Sequence, residues 1–480
     1  MTTPLDAAPP GAAAAQAARR TPLVVVLLVA ATFVVILNET IMVNAIPRLA
    51  ADFDVSLRAA QWLSTIFLLT MAAVIPVTGW FLRQVTTRQA YALAMTVFCA
   101  GTAVCAAAPL FEVLLLGRVV QAAGTAVMMP LLMTTLMTVV PEADRGRVMG
   151  TVTLAMSCAP ALGPAVSGLI LGFGGWRLIF VAVLPVAALV TIGGLRQLVD
   201  VGEREPAAID WTSVVLAAAG FATLVYGLSE IGGASAVVPA VCGGLGVLLV
   251  AAFVVRQLSL QRSGSPLLDL RALSHRTYTL SLLVMAVGFM AMLGAMILLP
   301  VYLQQVRGLS PLRTGLLVMP GGLAMGLLGP QVGKVFDRVG SRPVVVPGAV
   351  AILAALVVLA RIEPTTPYAA LLGAHVLMMV GLAAVFTPVF ALGLGSLPPH
   401  LYSHGSSILG TLQQVAGAVG TAAVVVIADA RTRGLMADGV AGVDAVVGGL
   451  RCAFLAGAGA AVLVVALAAL LPARVSATEG

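Results

Sequence analysis

Charge is scarce in this chain: Asp, Glu, Lys and Arg make up 9% of its 480 residues, against about a quarter in an ordinary soluble domain. Lysine is nearly absent, because all but one of the 26 basic residues are arginine. The net charge of +7 therefore does not come from a basic cluster. With no aromatic platform beside the arginines, a nucleic-acid partner is excluded. The five cysteines (Cys99, Cys105, Cys158, Cys242 and Cys452) each sit in apolar surroundings and form no CxxC or Cys/His spacing. They read as small core residues, not a metal or disulfide framework. Four histidines are too few for a metal centre. There is no GxxxxGK[ST] phosphate loop, so ATP is not the direct energy source, and no HExxH or Ser/Lys dyad to support a membrane-embedded enzyme. No cofactor is implied.

Apolar residues take the place of charge: 60% of the chain is hydrophobic and its mean hydropathy is +1.08. Windows of about 20 apolar residues mark membrane helices. Fourteen are predicted, near 23–46, 61–82, 89–108, 111–134, 146–171, 177–196, 212–230, 236–257, 277–303, 312–336, 342–361, 367–396, 403–428 and 450–472. The chain is thus an all-α polytopic membrane protein. An even count puts both termini on one side. With that side cytoplasmic, sixteen arginines and lysines fall inside and nine outside, with Arg118 left within a span, as the positive-inside rule favours. The first apolar run is too long for a cleaved signal peptide and reads as a retained helix. An Ala/Pro-rich start reads as a disordered cytoplasmic tail over 1–21. No soluble domain fits between spans: the longest inner linkers are about 197–211 and 258–276, and the longest outer loop about 429–449.

Two loops repeat across the chain. GWFLRQVTTR (79–88) follows the second span and GKVFDRVGSR (333–342) the tenth. Gly79 aligns with Gly333, Arg83 with Asp337, and Arg88 with Arg342. Asp337 and Arg338, with the turn glycine Gly340, predict a clamp on helix ends at the cytoplasmic face. Related halves of this kind are the architecture of secondary transporters. Residues 147–168, RVMGTVTLAMSCAPALGPAVSG, form a helix with two prolines and a small face at Ala159, Gly163 and Ser167. Membrane helices tolerate such prolines, and small faces let neighbours approach closely.

With these motifs the chain resembles the major facilitator superfamily over nearly its whole length, and within it the fourteen-helix drug:proton antiporter branch of the EmrB/QacA type. GKVFDRVGSR is similar to the superfamily's cytoplasmic loop signature. LLLGRVVQAAGTA (114–126) resembles its fourth-helix motif, and APALGPAVSG (159–168) its fifth-helix antiporter motif, with Gly163, Pro164 and Gly168 in place. LNETIMVNAIP (37–47) resembles the first-helix signature of the lincomycin-resistance-type members. The chain departs from the pattern at Asn38, where an acid is usual, and at Arg83, where the loop aspartate is usual. The resemblance implies two six-helix bundles (22–196 and 258–473), a linker with two additional helices (197–257) and cytoplasmic tails at 1–21 and 474–480. It also implies a bacterial cytoplasmic (inner) membrane location and export rather than import.

Charge inside a span costs roughly 2.5–3.5 kcal/mol on the insertion scale and is functional by default. Two such residues stand out, Glu39 and Arg118, both roughly 10–12 Å below the outer surface at 1.5 Å per residue. They are expected to meet or share a water and to form the proton-coupling pair, or else a static strut between helices 1 and 4. Asn38, Asn44, Gln121, Thr125, Tyr302, Gln304, Gln305 and Gln413 make a candidate polar lining for a substrate cavity. Met128, Met129, Met133, Met285 and Met292 offer an adaptable apolar wall. Glu230 and His375 read as structural residues near span ends. The resulting expectation is a monomeric antiporter that uses the proton motive force to export small hydrophobic or cationic drug-like molecules. A dedicated exporter of one metabolite or of a self-made antibiotic is the alternative, to be separated by substrate breadth. A channel would lack saturable, proton-dependent flux.

Overall fold

The computed structural model describes residues 10–42, 45–201, 208–231, 237–262 and 266–473. Among these residues every regular element is helical: α1 (Pro10–Met42), α2 (Ile46–Asp52), α3 (Leu57–Gln84), α4 (Thr87–Ala107), α5 (Phe111–Val139), α6 (Arg145–Phe173), α7 (Arg177–Gln197), α8 (Trp211–Ser229), α9 (Val237–Leu260), α10 (Arg276–Val301), α11 (Pro311–Val339), α12 (Arg342–Leu359), α13 (Tyr368–Gly395), α14 (Tyr402–Ala437) and α15 (Gly442–Leu470). Thirteen helices are long and apolar enough to cross a membrane, and α6, bent by 43° at residue 164, makes a fourteenth. Prolines lie inside α3, α5, α7, α10, α11, α12 and α13. That is tolerable because packed neighbours and local adjustment re-satisfy the freed backbone groups.

The helix ends differ from the sequence reading in three places. In the span expected over 23–46, helix is described to Met42, residues 43–44 lie outside the described residues, and a separate short helix, α2, begins at Ile46. The turns of α1 from Pro10 reach into the tail expected to be disordered. The outer loop expected over 429–449 shrinks to four residues, because α14 runs on through Ala437. An i,i+4 ion pair between Asp429 and Arg433 supports the added turns.

Helices α1 and α3–α7 form one bundle, and α10–α15 a second. The bundles meet along two seams, α6 on α11 and α3 on α14, while α8 seats the α8–α9 hairpin on α3 and α14. The hairpin is tied at the arginine-rich end, where Asp210 accepts two hydrogen bonds from Arg256 (2.6 and 2.7 Å). Gln257, fully buried, reaches Ser213 Oγ at 2.7 Å and accepts from the Leu268 N–H at 3.1 Å. Val241, Leu245, Val247 and Leu248 of α9 are exposed, as a lipid-facing helix requires.

Candidate functional site

The level of Glu39 is set by the small face of α6. A Cβ on Gly163 would lie 2.4 Å from Thr40 Oγ1, so only glycine lets α6 press against α1 there. Thr40 Oγ1 donates to the Ala159 carbonyl at 3.3 Å. Ala159, Gly163 and Ser167 are all buried, whereas Gly168 is exposed and a Cβ there meets nothing within 4 Å. The 43° bend falls at Pro164, where the proline removes a backbone donor.

Beside this contact the two bundles enclose a cavity of about 430 Å³. Nine methionines line it, four from α1–α7 (Met71, Met128, Met129, Met156) and five from α10–α15 (Met292, Met296, Met319, Met325, Met379). Phe289 and Phe386 stack in its wall, with ring centroids 4.8 Å apart and planes at 12°. Glu39 is the one charged residue among the described lining residues. Of the polar residues singled out in the sequence, Thr125 and Gln413 line this cavity, joined by Thr32, Thr153, Ser157, Thr314, His375 and Gln414.

Glu39 and Arg118 were expected to meet or share a water; no ion pair within 4 Å joins them among the described residues. Arg118, 1% exposed, is committed elsewhere. Its Nε donates to the Leu63 carbonyl (3.2 Å), its Nη1 to Gln121 Oε1 (2.6 Å), and its guanidinium lies 4.1 Å from the Phe67 ring centroid. Gln121 Nε2 passes the chain on to Thr102 Oγ1 at 2.8 Å. Arg118 and Gln121 thus bind α5 to α3 and α4, away from the cavity wall. Asn38 is buried behind the cavity, with neither amide atom partnered among the described residues. Asn44 lies outside the described residues.

Tyr302, Gln304 and Gln305 are also placed away from the cavity. α10 ends in a π turn, Tyr302–Val306, that leaves Gln304 and Gln305 exposed. Tyr302 is buried and its hydroxyl donates to the Glu363 carbonyl at 2.5 Å, so it fastens the turn to the 363–366 loop. Arg307 completes that fastening at the Thr366 carbonyl (2.5 Å). Its charge is held above the ordinary arginine range, chiefly by the Tyr302 hydroxyl. Of the five methionines named from sequence, Met128, Met129 and Met292 line the cavity, while Met133 and Met285 are buried in the packing. His375, read as structural, proves to be a lining residue. The signal was in the sequence: it stands eight residues inside a span, where an ionisable side chain is a candidate by default.

At the arginine-rich end the cavity is shut. Asp337 of α11 accepts hydrogen bonds from the backbone N–H groups of Gly146 (2.9 Å) and Arg147 (2.8 Å). The Asp337 part of the clamp is therefore a carboxylate capping the first turn of α6, where free N–H groups and the helix dipole favour an anion. Close approach makes this possible: a Cβ on Gly333 would lie 2.0 Å from the Gly146 carbonyl oxygen. Gly340 has φ +85°, which lets the loop leave α11, and Arg342 Nε donates to the Leu471 carbonyl at 2.6 Å, tying the loop to α15. Arg338 is exposed in the last turn of α11.

The first loop copy closes the other seam differently. Gly79 packs against Leu268, His404 and Ser407, and Arg83 Nη1 lies 3.0 Å from Nε2 of the buried His404. The Asp269 N–H donates to His404 Nδ1 at 3.3 Å. Burial pushes the Asp269 carboxyl up, but its bonds from Arg271 outweigh this and hold it below the usual aspartate range. The Arg88 N–H donates to Asp200 at 3.1 Å, fixing the loop to the end of α7. Deeper in, Ser407 Oγ donates to the Ile75 carbonyl (2.6 Å) and Thr153 meets Thr387 (2.9 Å), sealing the floor of the cavity.

Comparison with known proteins agrees with this architecture. The family model described as Major Facilitator Superfamily matches residues 28–421. The chain is 36% identical over 409 residues to the lincomycin resistance protein LmrB of Listeria monocytogenes, covering 84% of this chain and 86% of that protein. It is 31% identical over 387 residues to a multidrug resistance protein B homolog of Mycobacterium tuberculosis, covering 78% and 70%. In structure it is similar to the human organic anion transporter MFSD10, with a TM-score of 0.64 at 15% identity over 94% of this chain and 99% of that one. Two helical bundles, a cavity between them and seams closed at one end are what a carrier needs and what an enzyme does not, and the chain belongs to the Major Facilitator Superfamily of membrane transporters.

Proposed function

We propose that the protein exports hydrophobic cations in exchange for protons. The observation that carries this reading is Glu39: one carboxylate in a cavity otherwise lined by methionine, phenylalanine and a few neutral polar groups. A cation entering that cavity finds one counter-charge, π faces on Phe289 and Phe386, and thioethers that reshape around an irregular cargo. A proton is the alternative partner for the same carboxylate, so the two compete for it. That competition, with the bundles rocking to expose Glu39 to each side in turn, is antiport. Exchange of one proton for one monovalent cation moves no net charge, so the proton concentration difference is the drive, and about 1.4 kcal/mol per pH unit supports a tenfold gradient of the cargo. The relatives named for lincomycin and multidrug resistance support a drug-like cargo.

The test is uptake of a fluorescent cation by everted vesicles energised with respiratory substrate. Uptake should be saturable, stopped by a protonophore, and lost in Glu39→Gln at normal expression. Full uptake by Glu39→Gln rejects the reading. A panel of structurally unrelated drugs then distinguishes broad export from export of a single metabolite, for which the methionine-rich wall offers no rigid complement.

A further inference from the structure

Unsatisfied polar atoms line the cavity in both bundles: Ser157 Oγ of α6 in the first, and three groups in the second. Thr314 of α11 and His375 of α13 are 3% and 1% exposed. Both line the cavity, and neither Thr314 Oγ1 nor either ring nitrogen of His375 has a hydrogen-bond partner among the described residues. The Val318 backbone lies beside the imidazole without completing a bond. Gln413 Nε2 of α14 is likewise buried, unpartnered and in the wall. Leaving one buried polar group unpaired costs about 1–3 kcal/mol. Such groups are rare and call for a specific explanation. Here they line one cavity.

The ring of His375 is also held in place. A Cβ on Gly321 would lie 2.3 Å from its Cδ2 and 2.6 Å from its Nε2, so glycine at 321 makes the room in which the ring rests on α11. Thr314, Val318 and Gly321 fall at i, i+4 and i+7, on one face of that helix.

We propose that His375 and Thr314 form a subsite for a hydroxyl group of the cargo, with Gln413 a further polar group of the same cavity. This rests on the reading of the cavity as the cargo site and narrows it. The ring nitrogen of an imidazole that faces the cavity is either an N–H donor or a lone-pair acceptor, and a hydroxyl, which both donates and accepts, can satisfy it in either tautomer. Glu39 lies on α1 and the subsite on α11 and α13. The preferred cargo is therefore an amphipathic cation that carries its hydroxyl away from the charged centre, with an apolar middle against the methionines.

The full-length protein in lipid nanodiscs tests this with two probes of equal chain length, pentyltriphenylphosphonium and (4-hydroxybutyl)triphenylphosphonium. His375→Leu should weaken the hydroxyl probe about tenfold relative to the pentyl probe, the value of one buried hydrogen bond. Thr314→Val should act in the same direction, and His375→Gln, which keeps a donor and an acceptor, should restore most of the preference. Thr314→Val carries the same comparison should His375→Leu not elute as a folded species. If the variants weaken both probes equally, or neither, the hydroxyl subsite is overturned and the cation cavity stands. If neither probe binds the unaltered protein, the cargo reading falls and the subsite with it.

Discussion

Replacing Gly333 by alanine tests how the arginine-rich end closes. The added Cβ would sit 2.0 Å from the Gly146 carbonyl oxygen, 2.5 Å from its carbon and 2.9 Å from the Arg147 nitrogen. All three are backbone atoms, so no side chain can swing aside. Restoring an ordinary contact of 3.4 Å requires α6 and α11 to part by about 1.4 Å at this level. The Asp337 bonds to Gly146 and Arg147, now 2.9 and 2.8 Å, cannot survive that movement without distortion. Overpacking alone costs about 1–3 kcal/mol, and weakening hydrogen bonds to a charged acceptor adds about 1.5–3 kcal/mol. The closed arrangement should lose about 2.5 kcal/mol or more relative to one in which the helix ends are apart and hydrated, a shift of roughly seventyfold or more in their ratio. Spin labels at Thr86 and His400, which face a common cleft from the two bundles, would report it. Their distance distribution should lengthen in Gly333→Ala and in Gly146→Ala, and cation uptake by vesicles should fall. Gly168→Ala serves as control, since a Cβ there meets nothing within 4 Å. An unchanged distribution together with undiminished uptake in Gly333→Ala refutes the idea that glycine-mediated contact sets this gate.

Three further outcomes are expected. Arg118→Met removes the donors to the Leu63 carbonyl and Gln121, and leaving a buried acceptor unpaired costs about 1–3 kcal/mol. Its melting temperature should drop well below that of Arg118→Lys, and equal melting of the two would mean that the fork and its ring contact contribute nothing. Gly340→Ala places a Cβ at φ +85° and ψ −173°, a region essentially reserved for glycine, at about 1–3 kcal/mol; calorimetry should show the loss, with Gly172→Ala as a neutral comparison. The Arg256 hydrogen bond holds the Asp210 carboxyl well below its ordinary 3.8. A group depressed in the folded state stabilises fully above its unfolded value and loses that contribution as pH falls toward the folded one. The melting difference between the unaltered protein and Asp210→Asn should therefore be constant from pH 7 to about 5 and shrink below about 4. A difference that grows with acid contradicts the assignment.

What could be read in the sequence and what could not divide along a physical line. Long apolar windows and arginine-rich turns follow from the bilayer, which acts on each helix separately, so the spans were legible one segment at a time, whereas the two-bundle fold came from the resemblance of the motifs. Glu39 was legible for the same reason, because an acid in an apolar run has no local excuse. Pairwise geometry was not. Arg118 and Glu39 have the right depth and opposite sign, yet depth fixes only one of the three coordinates of each group. Rotation of α5 about its own axis aims Arg118 at Leu63 and Phe67 instead. Asp337 shows the same limit from the other side: its sequence neighbours are basic, which suggests an ion pair, but its partners are backbone N–H groups made available by the end of a helix nearly two hundred residues away. Backbone donors carry no residue signature. Their position follows from where α6 begins and from the two glycines, Gly146 and Gly333, that allow the approach. The glycines were visible as letters in a motif; that their function is to bring one helix end under another's carboxylate emerges only when both bundles are in place.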